Sequence, residues 1–253
     1  MTNLIACRPA SYRKYADFAF EYLPRAGIYH VEIGPPGQNE IDRVKGELGE
    51  HGLTASSLAT GCDLGDPGSI EELEVAMDVA RKMDVGVIFC STKSGGLPLQ
   101  EAYGRLAELG DVARSCGTVL SMETHPDLCQ NADQMLATMS GVNHPAVRVN
   151  FDTANIYYYN EGVRGVDELE RVKNYVASIH LKDTNGKAKT WYFPTLGQGV
   201  VDFPTVFKTL NELGFKGPFT MEMEGIEGED LSLDETHQRI LDSMEYLRSI
   251  GAI

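Results

Sequence analysis

Eight short apolar runs rich in β-branched residues punctuate the chain, each followed by a longer segment of helical periodicity, and this alternation limits the possible folds more than any other feature. The runs are Leu4–Cys7, His30–Ile33, Thr54–Leu58, Gly86–Cys90, Val119–Glu123, Val147–Phe151, Ala177–Leu181 and Phe219–Met223. Helical spacing is clearest over Ile70–Lys82, Leu99–Arg114, Asp202–Leu213 and Asp234–Ser249, where for instance Leu99, Tyr103, Leu106 and Leu109 share one face. Helix ends are marked as well: Asp202 or Pro204 begins one, Gly214 ends it, and Gly217-Pro218 leads into the last strand. Such βα units build a parallel sheet.

Two parallel architectures fit the alternation, an open doubly wound sheet and a closed barrel. No GxGxxG follows the first run, where a dinucleotide-binding sheet would carry it. Eight units in 253 residues match the (β/α)8 TIM barrel, typically about 250 residues long. The expectation is α/β, a single TIM-barrel domain over residues 1–253. With 42% hydrophobic residues the chain is large enough to bury a sizeable core, and it shows no long linker, low-complexity tract or short repeat.

Four residues that bind metals end or nearly end four of the predicted strands: Glu123 in LSMETH, Asp152 in VRVNFDT, His180 in ASIHLKD and Glu222 in PFTMEME. A closed barrel brings the C-terminal ends of its strands to one mouth, whereas an open sheet would lay them out in a line. Three carboxylates on adjacent strands would repel one another without a cation. A Glu/Asp/His/Glu set suits a divalent ion of intermediate hardness, with Mn²⁺ the first expectation and Mg²⁺ or Co²⁺ as alternatives. The competing reading is that Lys182 or an arginine supplies the neutralising charge.

Strand alternation also sets which neighbours share a face. His125 lies two residues after Glu123 and Glu224 two after Glu222, so each pair points the same way. His125 is either a rim histidine with a structural hydrogen bond or a second acid/base group. Glu32, at the end of the second strand, either touches substrate or caps a loop. Asn155 and Lys182 are candidate substrate contacts. The run Tyr157–Tyr159 either shapes a sugar pocket or packs the sixth helix. Asp183 holds the loop that follows it or its neighbour Lys182. Trp191, in the longest predicted loop (Asn185–Gly199), is a candidate lid residue.

Charge and cysteine usage narrow the partners. A net charge of −15 with scattered Lys and Arg excludes a nucleic-acid or anionic-membrane surface. No apolar stretch approaches the roughly 20 residues of a membrane span. The opening MTNLIACRPASYRKYADF meets Arg8 and Pro9 too early for a secretory core, so a cytoplasmic location is expected. Cys7, Cys62, Cys90, Cys116 and Cys129 form no CxxC pair and read as buried free thiols.

METH, FDTAN, HLKD followed by LGQGVVDF, and GFKGPFTMEME resemble the xylose-isomerase-like barrels, a superfamily of sugar isomerases and epimerases that includes ketose 3-epimerases, hydroxypyruvate isomerase and inosose dehydratase. The resemblance covers most of the chain. It implies a divalent metal held by Glu123, Asp152, His180 and Glu222, Glu222 being chosen over Glu224 on the family's G-x-x-x-x-E spacing from Gly217. It also implies a small carbohydrate substrate and a homo-oligomer. The chain departs from the ketose epimerases at Asn155, where they usually place a histidine. His125 instead resembles a base found in related barrels that act on 3-oxo-sugars. A branch of DNA endonucleases in the superfamily needs more metal-binding histidines than the six here can supply.

The leading expectation is a metal-dependent sugar isomerase or epimerase in which Glu123 and Glu222 move a proton beside a carbonyl through an enediolate. The runner-up is a lyase or dehydratase using the same site on an oxo-sugar, 3-oxo-glycoside or inosose, with His125 as acid/base. A non-catalytic sugar-binding barrel is the third, and loss of a ligand would mark it.

Overall fold

The computed structural model describes residues 3–253. Met1 and Thr2, the start of the segment read as lacking a leader, lie outside the described residues. Eight parallel strands close into a barrel: β1 (Ile5–Cys7), β2 (His30–Ile33), β3 (Thr54–Asp63), β4 (Val87–Lys93), β5 (Val119–Glu123), β6 (Val147–Asp152), β7 (Val176–Leu181) and, pairing back to β1, β9 (Phe219–Met221). Two further short strands, β8 (Tyr192–Phe193) and β10 (Gly225–Ile226), form an antiparallel ribbon. The ribbon was not foreseen, and two-residue strands leave no alternation to detect.

The helices are α1 (Ala19–Tyr22), α2 (Ile41–Glu50), α3 (Pro67–Met83), α4 (Leu99–Ser115), α5 (Ala132–Val142), α6 (Asn155–Tyr158), α7 (Gly165–Val172), α8 (Phe203–Glu212) and α9 (Leu233–Ser249). Their starts follow the chemistry of their first residues. Asp66 and Asp202 accept the backbone N–H groups of Gly68 and Thr205, and Ser232 with Glu235 forms a capping box on α9. Asp202 is therefore the cap of α8, and Gly214, at φ +74°, follows its end.

The main apolar core lies between the outer face of the barrel and the helices. Phe207 of α8 stacks on Phe219 of β9 at 4.5 Å, and Leu120, Val149, Ile179 and Met221 are buried on the same side of the sheet. On β5, β6, β7 and β9 the inward side chains are polar instead. Ser121 Oγ and Asn150 Nδ2 lie 2.7 and 2.8 Å from Ser178 Oγ, with Thr220 buried nearby on β9. Two residues further along the same strands come Glu123, Asp152, His180 and Glu222, so the two-residue period of a strand carries the polar lining up to the mouth. Register sets their heights: Asp152 pairs with His180, and Leu181 with Met221, one residue before Glu222.

The cysteines are free; Cys116 is half-buried and the others are buried. Burial pushes the Cys7 and Cys129 thiols up to about 12, which keeps them protonated and unreactive at neutral pH. Among the described residues, no helix is long and apolar enough to cross a membrane.

Candidate active site

Asp152, His180 and Glu222 each offer a ligand atom, and these atoms lie within 4.8 Å of one another, all three residues being buried. Asp152 ends β6, and its Oδ1 accepts the backbone N–H groups of Ala154 and Asn155, both at 2.8 Å. That leaves Oδ2 turned into the barrel without a hydrogen bond of proper geometry. His180 Nε2 lies 3.0 Å from Glu32 Oε1, and because a carboxylate only accepts, Nε2 carries the proton. Nδ1 is likewise left without a hydrogen bond, 3.2 Å from Glu222 Oε2 and 3.9 Å from Asp152 Oδ2. Phe89 stacks on the imidazole at 4.3 Å and fixes its plane.

A carboxylate oxygen and an imidazole nitrogen, each buried without a hydrogen bond of proper geometry and close to a second carboxylate, are a donor set that suits a divalent cation. The carboxylate behind the histidine is the second-shell arrangement that aims an imidazole at a metal. The residues present therefore fit the expected ion.

Glu32 is 1% exposed, its oxygens engaged by Ser57 Oγ (2.7 Å) and His180, with Arg8 Nε at 3.5 Å. It meets His180 on the side away from Asp152 and Glu222. The irregular register between Val31 and Glu32 sets Glu32 opposite Ser57. Asn155 is buried as well. Its amide N–H groups go to Glu123 Oε1 (3.1 Å) and the Thr124 carbonyl (3.2 Å), so it holds an acid in place.

Glu123 stands outside the three-residue cluster, half-buried at the end of β5. Burial and then the negative charge of Glu123 push the Tyr159 phenol up to about 12. His125 rests edge-on against Tyr159 at 4.9 Å. Its Nδ1 bonds the Pro126 carbonyl, which only accepts, so Nε2 keeps its lone pair. The Tyr157–Tyr159 run divides between its two readings. Tyr157 Oη accepts the Gly165 N–H and packs α6 on α7, whereas Tyr158 and Tyr159 join an aromatic wall with Trp191 and Phe193.

Lys182 is 2% exposed and touches three carboxylates: Asp152 Oδ2 at 3.0 Å, Glu222 Oε2 at 2.8 Å and Glu224 Oε2 at 2.7 Å. Burial opposes its charge, but Asp152, Glu222 and Glu224 outweigh burial and hold the ammonium well above the usual lysine range. Arg8, which sequence reasoning missed, pairs with Glu222 Oε1 and lies over the Phe89 ring. Its signal was its place, one residue beyond the first strand. Burial disfavours an ionised Glu222, yet Lys182, His180 and Arg8 together hold its carboxyl well below the usual range. Burial likewise works against a charged His180, but Glu32 and Glu222 raise it to about 10, so in the ion-free barrel Nδ1 also carries a proton, which an entering ion would displace.

Trp191, 41% exposed, lines a mouth cavity of about 330 Å³ with Arg8, Ser11, Arg13, Glu222 and Glu224. The segment that carries it is tied down. β8 pairs with β10, and Asp183 accepts the N–H groups of Thr184, Gly197, Gly199 and Val201. Trp191 is thus a wall of the mouth.

The family model for xylose isomerase-like TIM barrels matches residues 20–250. The chain belongs to that family. It is 26% identical over 229 residues to a ketose 3-epimerase of Arthrobacter globiformis, covering 81% of this chain and 76% of that protein. It is 26% identical over 219 residues to an inosose dehydratase of Serratia proteamaculans, covering 73% and 72%. A xylose isomerase-like TIM barrel protein from Mycobacterium smegmatis, solved in complex with magnesium, shares the fold at a TM-score of 0.74 and 20% identity, over 92% of this chain and 87% of that one.

Proposed function

We propose that this barrel is a divalent-metal-dependent enzyme that isomerises or epimerises a small sugar by moving a proton at the carbon beside a carbonyl. The observation that carries the reading is the convergence of one buried ligand atom each from Asp152, His180 and Glu222 within 4.8 Å of one another. The similarity to a ketose 3-epimerase and the magnesium held by the Mycobacterium smegmatis barrel support it. Two carboxylates and an imidazole favour Mn²⁺, with Mg²⁺ and Co²⁺ as alternatives.

When bound, the ion would polarise the substrate carbonyl and offset the negative charge that develops on the enediolate. The chain's own residues do the rest. Glu123, steadied by Asn155 and half-open to the mouth, takes the proton from one face of the carbon. Glu222, once it has taken up a proton from solvent at the mouth, delivers that proton to the other face, and Glu123 releases its own to solvent to close the cycle. Each such transfer is worth about 10²–10⁴-fold in rate. Arg8 offers N–H donors to substrate oxygens, and Trp191 screens the mouth from water.

A second reading rests on His125, whose free Nε2 is suited to act as a base or, once protonated, as an acid. A dehydratase or lyase on an oxo-sugar shares the first proton abstraction and then expels a substituent, and an inosose dehydratase is among the relatives. The test is incubation with ketoses, inososes and 3-oxo-glucosides in D₂O with Mn²⁺, against an EDTA control. EDTA-sensitive label in a sugar of unchanged composition supports the isomerase. Loss of water or an aglycone supports the lyase, and no exchange in any substrate counts against both.

A further inference from the structure

The oxygens that an ion would use are the oxygens Lys182 touches. Asp152 Oδ1 is taken by two backbone N–H groups and Glu222 Oε1 by Arg8, so each acid has one oxygen left to offer. Lys182 Nζ lies 3.0 Å from the first of these and 2.8 Å from the second. A monocation and a dication held on the same pair of oxygens would repel strongly in a buried site. Glu224 supplies a way out. Its side chain is 32% exposed at the rim, and its Oε2 lies 2.7 Å from the same ammonium.

We infer that the ε-ammonium of Lys182 and the divalent ion are alternative occupants of the Asp152 and Glu222 carboxylates, and that entry of the ion moves Lys182 onto Glu224. The inference rests on the metal-dependent reading above. Without the ion, the ammonium offsets buried carboxylates that would otherwise stand unpaired, and this keeps the ion-free barrel intact. With the ion in place, Lys182 becomes a donor at the mouth, anchored by Glu224 and beside the cavity that Arg8 and Trp191 line. Glu224 is then a positioning residue for the lysine.

The test is calorimetric titration of Mn²⁺ alone into metal-stripped protein. Lys182→Met, which keeps length and removes charge, should bind Mn²⁺ about ten-fold more tightly or better, a size usual for two ligands coupled at one site. Glu224→Gln should weaken Mn²⁺ binding in the parent chain, where the lysine loses its second carboxylate, and leave it unchanged in the Lys182→Met background. Equal affinity in parent and Lys182→Met overturns the competition and leaves the metal reading standing. Failure of both to bind overturns the metal reading itself. Should Lys182→Met not fold without ion, Glu224→Gln alone decides: an unchanged Mn²⁺ affinity overturns the proposal, and a weakened one supports it.

Discussion

Glu32 Oε1 accepts the Nε2–H of His180 at 3.0 Å and thereby fixes which nitrogen faces the site. The acid itself is buried and anchored by Ser57. Replacing Glu32 by Gln keeps the shape but allows the imidazole to flip its tautomer. Mn²⁺ affinity should fall about 10–100-fold, the usual loss when such an outer partner is changed. Calorimetric titration checks this, and an unchanged affinity would detach Glu32 from the metal.

Glu123 and the cluster are separable by one variant. Glu123→Gln should lower kcat by about 10²–10⁴-fold while Mn²⁺ affinity stays within about two-fold, well inside the spread of effects from residues that do not touch an ion. A parallel fall in metal affinity would make Glu123 a fourth ligand, as the sequence alone suggested.

The Asp183 carboxylate gathers four backbone N–H groups from the segment that carries Trp191. Asp183→Ala leaves them without their acceptor and should cost about 3 kcal/mol. For a chain of this size that lowers Tm by roughly 6–12 °C. Gly199→Ala should act similarly, since a Cβ there would come within 2.2 Å of Asp183 Oδ1 and 2.3 Å of the Thr184 carbonyl. Calorimetric melts of both variants test the clamp, and a shift under about 2 °C in both would remove it.

His237 gives a pH dependence away from the site. Burial, then the charge of Arg25, lower its pKa, and its Nδ1 lies 2.9 Å from the buried Tyr12 hydroxyl. Unfolded, it takes a proton near its ordinary value of about 6.5. As pH falls through 6.5 the unfolded chain binds a proton that the fold refuses, so stability drops until the folded pKa is passed. His30, also lowered by burial, adds in the same direction. The parent should therefore lose more Tm between pH 7.5 and 5.5 than His237→Gln does; identical slopes would contradict the assignment.

Much of this molecule was legible in its sequence because a strand's period is two. The pairing of Glu222 with Glu224, which both reach Lys182, follows from that period, while barrel closure follows from the count of eight βα units. What escaped depends on contacts between strands far apart in sequence. Nothing local marks Glu32 as a partner of His180, 148 residues away. Nor does local sequence announce that Asn155 turns back onto Glu123. Arg8 follows a three-residue strand too short to show which way it points. The β8–β10 ribbon beside Trp191 is invisible for the same reason.

Glu222 lies just beyond the last residue of β9 and three residues before the first of β10, so the barrel holds it from one side and the ribbon from the other. The wall of the mouth and the acid proposed to move a proton are thereby joined through one short ribbon. Loop grafting between relatives at residues 185–199 would therefore retune proton transfer along with substrate preference. A lineage seeking a new sugar through that segment alone would be walking on coupled ground, with selectivity and rate changing together at each step.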